Sequence, residues 1–370
     1  MRQAMKEGIV VRIDRSCVAF ALSLLLVGAV GCGRPDVAGR RVLGSHGYHV
    51  SAVVFSPDGT LLASCGNDKT IRLWDVASGK EVRSLRGHKA GVWGIAFSPD
   101  GGLLASAGSK DLAVRLWDVA SGECIRVLEA HRHDITEVAF SPDGKLLASA
   151  GGTAPLVPTA DGEGLTDPKP YPASRVNVWE VKTGEVVFSL SHPAGARSLA
   201  FSPDGRMLLT GGYDGLVRFW SLATQKTVRV AKGGVESLAF SADGKTIVTH
   251  GDHAIQLRNA ADGTESSTFP VKGRIILSSA RSPDGTLLVA GCIMMKTAER
   301  GPKEIRVWDI NTRKLIALVD GFRHAISRVA FSPDGKTLAT GGYRGTVTLW
   351  DVSELLTQYR TDEPAEPDLK

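Results

Sequence analysis

The sequence lacks the signatures of the common catalytic and metal-binding sites. Its five cysteines include no CxxC pair, the spacing on which many zinc sites rely. A glycine-rich phosphate loop and a GxSxG nucleophile elbow are also missing, and these motifs mark nucleotide-binding and hydrolase folds. We therefore predict that the protein is not an enzyme, and we expect no catalytic residue, no metal and no cofactor.

The excess of positive over negative charge is small as well. The formal net charge is +5, and residues 1–15 contribute two of these charges, because Arg2, Lys6, Arg12 and Arg15 outnumber Glu7 and Asp14. The rest of the chain has no cluster of Lys and Arg. Since a nucleic-acid-binding protein normally carries a concentrated basic face, we expect no nucleic-acid partner.

Long apolar runs are limited to one segment near the N-terminus. Cys17 to Val30 form an uncharged, mostly apolar run behind the basic residues, and this run is shorter than the roughly 20 residues of a bilayer-spanning helix. A basic segment, a short apolar run and small residues are typical of a secretory signal. The pattern predicts a signal peptide over residues 1–31 and a protein exported to the cell envelope.

The end of this segment resembles a bacterial lipoprotein processing box. It reads Ala29-Val30-Gly31-Cys32, with Ala29 where that box prefers Leu. The resemblance implies that Cys32 becomes the lipidated first mature residue, which would anchor the protein to a membrane. Ordinary signal cleavage nearby and a tilted membrane anchor are the alternatives, and the protein would be cytoplasmic if the true start lies downstream.

One pentapeptide recurs along the rest of the chain. FSPDG is found at Phe55–Gly59, Phe97–Gly101, Phe140–Gly144, Phe201–Gly205 and Phe331–Gly335, and degenerate copies lie at Phe240–Gly244 and Arg281–Gly285. Each copy belongs to a unit of about 40 residues with three or four short apolar strands, a period typical of propeller blades. Ser-Pro-Asp-Gly is a turn sequence, because Pro presets φ and Gly accepts a positive φ. Seven units therefore predict seven blades.

The closing dipeptides of these units resemble those of the WD-repeat (WD40) family. They are Trp74-Asp75, Trp117-Asp118, Trp308-Asp309 and Trp350-Asp351, with weaker versions at Trp179-Glu180 and Trp220-Ser221, a departure at Arg258-Asn259, and an upstream Gly87-His88. The resemblance covers residues 40–352. It implies an all-β, seven-bladed β-propeller of four-stranded antiparallel blades, closed by pairing of Arg41 to Gly44 with the last blade. The alternative is a TolB-like periplasmic propeller, and residues 353–370 are expected to form a polar, frayed C-terminal tail.

Sets of Ser or Thr, His and Asp recur within the units. The resemblance assigns His88, Ser106, Asp111 and Trp117 to a buried structural hydrogen-bond chain, and the sets His46, Ser64, Asp68, Trp74 and His192, Thr210, Asp214, Trp220 match it. A hydrolase triad is the competing interpretation. We favour the structural one, because an enzyme needs its nucleophile and base only once.

Functional residues are expected where the units differ. Insertions lie between the second and third strands in unit 3 (residues 152–174) and unit 6 (residues 293–304), and the family topology places both on the face called the top. The unit 3 insertion is rich in proline, and we expect a loop without helix or strand.

The resemblance to WD repeats implies two kinds of partner-facing position: the residue four places before each Phe, and residues in the loop before the third strand. The first set contains Ser51, Trp93, Thr136, Arg197, Glu236 and Ser327. We predict that Trp93, Arg197, Tyr213, Tyr343 and Arg344 bind a partner, because these residue types often anchor interfaces.

Two functions are compatible with these features. The first is a non-catalytic scaffold that docks a protein or peptide on the top face of the propeller. The alternative is an envelope propeller that binds or processes a small molecule in the channel mouth, as TolB-like or quinoprotein-like propellers do. Clustered acids or histidines in the channel would favour the second, whereas an aromatic and arginine surface would favour the first.

Overall fold

The computed structural model describes residues 39–129, 131–152, 157–158, 165–166, 174–233, 236–251, 253–294 and 303–361. All of them belong to the unit Ala38–Lys370. The predicted signal peptide and Cys32 lie outside the described residues. Within the described ranges, no helix has both the length and the apolar character needed to cross a membrane.

The first strands of the chain build a series of antiparallel four-stranded sheets, which we call blades. The chain begins with β1 (Arg40–Ser45). Blade 1 consists of β2 (Val50–Phe55), β3 (Leu61–Gly66), β4 (Thr70–Asp75) and β5 (Glu81–Arg86). Blade 2 consists of β6 (Val92–Phe97), β7 (Leu103–Gly108), β8 (Ala113–Asp118) and β9 (Cys124–Glu129). Blade 3 contains β10 (Ile135–Phe140) and β11 (Leu146–Gly151), then the short pair β12 (Val157–Pro158) and β13 (Leu165–Thr166), then β14 (Ser174–Glu180) and β15 (Val186–His192).

The second half of the chain repeats the same design. Blade 4 consists of β16 (Ala196–Phe201), β17 (Met207–Gly212), β18 (Leu216–Ser221) and β19 (Lys226–Lys232). Blade 5 consists of β20 (Ser237–Phe240), β21 (Thr246–His250), β22 (Ala254–Asn259) and β23 (Glu265–Pro270). Blade 6 consists of β24 (Arg274–Arg281), β25 (Leu287–Met294), β26 (Lys303–Asp309) and β27 (Leu315–Val319). The last strands are β28 (Ile326–Phe331), β29 (Thr337–Gly342) and β30 (Thr346–Asp351), and the helix α1 (Val352–Gln358) follows.

The N-terminal strand completes blade 7 and closes the ring. β1 pairs antiparallel with β30, with Arg40 opposite Trp350 and Ser45 opposite Thr346. The first strands of neighbouring blades contact one another, including β2 with β6, β6 with β10, and β28 with β2. The first strands therefore surround the axis of the ring. The predicted seven-bladed, all-β propeller and its closure are both confirmed, and closure leaves no open edge at the junction of the two chain ends.

The repeated Ser-Pro-Asp-Gly turn is held by its own side chains. In blade 2, the Ser98 hydroxyl donates to Asp100 Oδ1 at 2.5 Å and accepts from the Leu103 amide at 2.8 Å. Asp100 Oδ1 also accepts from the Gly102 amide at 3.0 Å, and Gly101 has a φ of 74°. The turn needs glycine at this point, because a side chain would be strained at that φ.

Large apolar residues fill the seams between blades. Trp117 of blade 2 packs in one cluster with Ile71, Leu73 and Leu85 of blade 1. Trp179 of blade 3 packs in the same way against blade 2. Because each tryptophan contacts the preceding blade, the core is a series of seams distributed around the ring.

Two expectations about irregular segments are wrong. The tail is not frayed at its start: α1 begins at the N-cap Asp351, whose carboxylate accepts from the Glu354 amide at 3.0 Å, and Leu355 is only 3% exposed. A capped turn can bury this leucine against the core cluster of blades 6 and 7. In the blade 3 insertion, β12 pairs with β13, so this segment contains a short β-ladder where none was expected.

Candidate functional site

The recurring Ser-His-Asp sets form hydrogen-bond chains that end on tryptophan. In blade 2, His88 Nε2 lies 2.7 Å from Ser106 Oγ, and His88 Nδ1 lies 2.7 Å from Asp111 Oδ2. The Trp117 indole donates to the same Ser106 hydroxyl at 2.8 Å. Ser106 is fully buried and cannot meet a substrate. The arrangement therefore stabilises the blade and does not form an accessible triad.

The carboxylate of this chain is held ionised by its partners. Burial alone would raise the pKa of Asp111, but the hydrogen bond and charge of His88 outweigh burial and hold that pKa below its usual value. Blade 1 repeats the arrangement, with His46 Nε2 2.7 Å from Ser64 Oγ and the Trp74 indole 2.8 Å from that hydroxyl.

Blade 4 departs from the expected chain. Trp220 donates to Thr210 Oγ1 at 2.9 Å, but His192 Nδ1 bonds the Ala194 carbonyl. Asp214 pairs with the buried Arg218. The expectation that His192, Thr210, Asp214 and Trp220 form one continuous chain is therefore wrong. In blade 4 both Nη atoms of Arg218 contact the Asp214 carboxylate, whereas in blade 1 the equivalent Arg72 lies 3.7 Å from Asp68 and His46 keeps its contact with that carboxylate at 3.0 Å.

A β-bulge decides where the side chains of the first strands point. In six described first strands, the pairing register shifts at the position four residues before the Phe of the repeat, or before Arg281 in blade 6. A bulge breaks the strict alternation of side chains. Two of the residues at this position join neighbouring blades: Thr136 donates to the Ala196 carbonyl at 2.9 Å, and Ser327 donates to the Val50 carbonyl at 2.8 Å. Ser327 and Ser51 are buried, at 1% and 3% exposed, so the expectation that these two face a partner is wrong. Thr136 is half-buried, and its role stays a prediction.

Arg197 and Tyr213 lie together on blade 4. Arg197 is exposed, and its guanidinium carbon lies 5.6 Å from the centre of the Tyr213 ring. The same guanidinium forms an ion pair with Glu236 at the entrance to blade 5. These contacts hold the arginine in one position at the rim while leaving part of it available to a partner.

A second pair of predicted residues lies on blade 7. Tyr343 is 48% exposed, Arg344 is exposed, and both belong to the loop between β29 and β30. The Tyr343 ring packs edge-on against His49, with ring centres 4.5 Å apart. Trp93, half-buried on β6, belongs to blade 2 and lies two blades from Arg197.

Two charged residues on the first strands were missed by sequence reasoning. Glu137 on β10 and Arg328 on β28 are both half-buried, and each lies three residues before the Phe of its repeat. Although blades 1 and 2 separate them along the ring, each influences the pKa of the other. Both residues lie on first strands, which contact one another around the axis of the ring. The signal was available, because the other five units carry Ala, Gly or Ser at this position.

Burial changes the ionisation of the groups around the axis. Burial raises the pKa of Glu137 to about 7, against the opposing effect of Arg328. Burial, together with the charge of Arg328, lowers the pKa of His49 to about 4 and that of His250 to about 3. At neutral pH these two histidines are neutral and Glu137 is partly protonated.

No metal site is evident in the described ranges, where no group of three or more His, Cys, Asp or Glu side chains is placed to hold an ion.

Comparison with known families gives a clear match. The model for "WD domain, G-beta repeat" matches residues 40–75, 79–118, 122–153, 184–221 and 314–351. The chain belongs to the WD40 repeat family. The matches to this WD40 chain omit residues 222–313, the stretch that contains blade 5 and most of blade 6.

The chain is similar to proteins that include fungal and plant ones. "Nuclear distribution protein PAC1" of Arthroderma otae is 29% identical over 86% of this chain and 62% of its own length. "Small ribosomal subunit protein RACK1y" of Oryza sativa is 30% identical over 54% of this chain and 59% of its own length. "Periodic tryptophan protein 2" of Arabidopsis thaliana is 27% identical over 50% of this chain and 21% of its own length. The chain spans less than two thirds of the length of each of these relatives.

Blade 5 is the most divergent blade of this WD40 propeller. Arg258 replaces the closing tryptophan and is 7% exposed. It donates to the Gly263 carbonyl at 3.1 Å and to Gln256 Oε1 at 2.8 Å. Within the part of the chain that the structure describes, Thr249 Oγ1 and His250 Nε2 are buried without a hydrogen-bond partner. Thr249 stands where blade 2 has Ser106, so the missing tryptophan leaves this hydroxyl without the indole donor that Ser106 receives.

Proposed function

We propose that the protein is a non-catalytic scaffold that docks a protein or peptide on its top face. The top face consists of the loops that lead into the first strands and the loops between the second and third strands. The observation that carries the proposal is a pair of arginine and aromatic side chains on each of two blades: exposed Arg197 beside half-buried Tyr213 on blade 4, and exposed Tyr343 and Arg344 on blade 7. Such side chains are the usual anchors of protein interfaces.

The hydrogen-bond chains support a scaffold over an enzyme. Ser64 and Ser106 each bond a histidine and a tryptophan, and both are fully buried. A nucleophile must reach its substrate. Among the relatives, the name of the rice protein describes a component of the small ribosomal subunit, which agrees with a propeller used for assembly.

Affinity capture with the full chain tests the docking face. We expect Trp93→Ala combined with Arg197→Ala, and separately Tyr343→Ala combined with Arg344→Ala, to lose most of the proteins that the wild type recovers. A control variant with Arg206→Ala and Val230→Ala removes an arginine beside the Ser-Pro-Asp-Gly turn and an exposed apolar residue of the outer strand β19. Equal recovery by the wild type and both top-face variants would show that the docking face lies elsewhere.

A second candidate function is the binding of a small molecule in the channel mouth. Glu137 and Arg328 near the axis are the observation that favours it, since ligand sites place a few polar groups in a concave, mostly apolar wall. Mass spectrometry of small molecules released from the purified, denatured protein tests this function. A compound that co-purifies with the wild type and is absent from Arg328→Met would support it over protein docking.

Within the same proposal, residues 1–31 act as an export signal and Cys32 carries a lipid that holds the scaffold at the cell envelope. The short apolar run and the Ala29-Val30-Gly31-Cys32 sequence support this part. Metabolic labelling with a palmitate analogue is expected to mark the wild type and not Cys32→Ala. Equal labelling of the two proteins would refute lipidation at Cys32.

A further inference from the structure

The outer edge of blade 6 is covered by the segment that follows α1. The Leu318 amide of β27 donates to the Tyr359 carbonyl at 3.0 Å, and the Thr361 amide donates to the Ile316 carbonyl at 3.0 Å. Residues 359–361 therefore add a short antiparallel segment to the fourth strand of this blade. Under this cover, the side chains of Ile316 and Leu318 are half-buried.

Blades 2 and 4 carry apolar residues at the same two places on their fourth strands. Counted from the residue opposite the closing tryptophan, Ile316 and Leu318 correspond to one pair of residues on β9 and one pair on β19. In the described ranges, however, β9 pairs only with β8 and β19 only with β18. An unpaired edge with exposed apolar residues is a template for another strand. The exposed fractions are 50% for Ile125, 42% for Val127, 55% for Val228 and 50% for Val230.

The two edges differ in the charges that flank these apolar pairs. Glu123 and Glu129 flank the pair on β9, whereas Lys226 and Lys232 flank the pair on β19. All four residues are exposed, and none of them takes part in an ion pair within the part of the chain that the structure describes. The outer edge of blade 2 is therefore acidic at both ends, and that of blade 4 is basic at both ends.

An antiparallel ladder between these two edges matches apolar with apolar and acid with base. In blade 6, Ile316 and Leu318 direct a carbonyl and an amide toward the added segment. The corresponding residues of β9 and β19 stand in the same register, so their backbone groups also point outward and meet in such a ladder. The matched pairs are Ile125 with Val230, Val127 with Val228, Glu123 with Lys232, and Glu129 with Lys226.

Pairing of two identical edges is disfavoured by the same charges. Two β9 strands with their apolar pairs opposed would set Glu123 opposite Glu129, and two β19 strands would set Lys226 opposite Lys232. Like charges directly opposite each other destabilise a strand pair, whereas opposite charges stabilise it. The charges therefore select the mixed pair of one acidic and one basic edge.

We propose that the outer edge of blade 2 in one molecule pairs antiparallel with the outer edge of blade 4 in a second copy of this chain. Each copy presents one edge of each kind, so a bound copy still offers a free edge and association continues beyond a dimer. β9 and β19 are both fourth strands, so antiparallel pairing turns the top faces of neighbouring copies in opposite directions. The contact lies on the perimeter of the ring and is independent of docking on the top face.

Sedimentation equilibrium of the full chain tests the inference. The weight-average mass of the wild type is expected to exceed that of a dimer as the protein concentration is raised to about 1 mM, because single strand-to-strand contacts bind weakly. The mass is expected to fall when sodium chloride is raised from about 0.05 M to about 0.5 M, since salt screens exposed ion pairs.

Reversal of charge gives the sharpest comparison. Lys226→Glu combined with Lys232→Glu makes both edges acidic, and Glu123→Lys combined with Glu129→Lys makes both edges basic. Each double variant alone is expected to associate at least about tenfold more weakly than the wild type, because every mixed pair now opposes like charges. An equimolar mixture of the two double variants is expected to recover the association, since an acidic edge again meets a basic one.

A control variant carries the same change of charge away from the perimeter. Lys245→Glu combined with Lys336→Glu alters exposed residues beside the turns between the first and second strands of blades 5 and 7, and it is expected to associate as the wild type does. Every variant keeps the same N-terminal segment, so association caused by that segment would be equal in all of them.

Three results would overturn the inference: a wild type that stays monomeric, a charge-reversed variant that associates as the wild type does, or a mixture that does not recover association. Circular dichroism of each variant shows whether the blades are folded, and recovery in the mixture is itself possible only for folded chains.

Discussion

Blades 2 and 5 have the same strand topology but different seams. In blade 2, Trp117 is 1% exposed and donates to Ser106 within a continuous chain that includes His88 and Asp111. In blade 5, Arg258 takes the place of the tryptophan, and Thr249 Oγ1 is buried without a partner among the described residues.

Despite this loss, β20 to β23 pair as the strands of blade 2 do. The comparison shows that backbone ladders and turns are sufficient to form a blade, whereas the tryptophan chain determines how well it packs against its neighbour. A cleft lined by Met207, Phe219, Phe240 and Ala260 opens between blades 4 and 5, on the side where the tryptophan is missing.

The largest expected difference between the two blades is the effect of removing the residue at the tryptophan position. Trp117→Ala should lower the free energy of unfolding by about 3–5 kcal/mol, because a large buried side chain and its hydrogen bond are both lost. Arg258→Ala should cost clearly less, since Arg258 packs a polar side chain in a looser seam. Chemical denaturation of both variants measures the difference, and equal losses would mean that blade 5 is as tightly packed as blade 2.

A smaller difference in stability between blades 2 and 5 is expected when the hydroxyl at the tryptophan's partner position is removed. Ser106→Ala leaves His88 Nε2 and the Trp117 indole without this buried partner and should cost about 1–3 kcal/mol. Thr249→Val removes a hydroxyl that has no partner in the described structure, so it should leave stability unchanged or raise it slightly. Thermal unfolding compares the two, and a marked loss in Thr249→Val would show that its hydroxyl is satisfied after all.

The smallest expected difference appears only on acidification. His250 is 1% exposed and burial lowers its pKa to about 3, so the folded protein holds it neutral while the unfolded chain protonates it near pH 6.5. Burial of the neutral His250 therefore leaves the free energy of unfolding at its full value above pH 6.5. That free energy falls as the pH drops from 6.5 toward 3, because only the unfolded chain takes up the proton. Between pH 7 and pH 5, the free energy of unfolding of His250→Ala should therefore fall by about 1–2 kcal/mol less than that of the wild type.

Alanine is a natural replacement at this site, since Ala107 occupies the same place in blade 2. His133, exposed in the loop before blade 3, provides the control. His133→Ala should reproduce the wild-type pH dependence, and the same dependence in His250→Ala would contradict the assignment of this effect to blade 5.

Much of the fold could be predicted because its signals are local. Each Ser-Pro-Asp-Gly turn is closed by hydrogen bonds within a few residues, as at Ser98 and Asp100, so the number of turns reports the number of blades. The helix α1 had a weaker signal, Asp351 followed three residues later by Glu354 and then by two leucines. That pattern can cap a helix, but its docking depends on a surface formed by blades 6 and 7.

The candidate site was harder to predict, because a bulge controls it. Counting four residues back from the Phe of each repeat selected Arg197, which lies at the rim, but also Thr136 and Ser327, which bond the neighbouring blade. Strict alternation does not hold across a bulge. Glu137 and Arg328 were missed for this reason, although each is unusual among the residues at its position in the repeat.

The sequence by itself determined the number of blades and their turns, since these depend on contacts between residues close in the chain or on a repeat that is read directly. The closing strand was implied by the family resemblance, because its partner β30 lies at the other end of the repeats. Only the tertiary structure decided which side chains meet at the axis. Arg328 and Glu137 are 191 positions apart (328 − 137), and they influence each other only because closure of the ring brings the first strands of blades 3 and 7 around one channel. The mutual influence of these two groups is therefore a property of the closed ring, whereas the blades that form the ring are properties of the repeat.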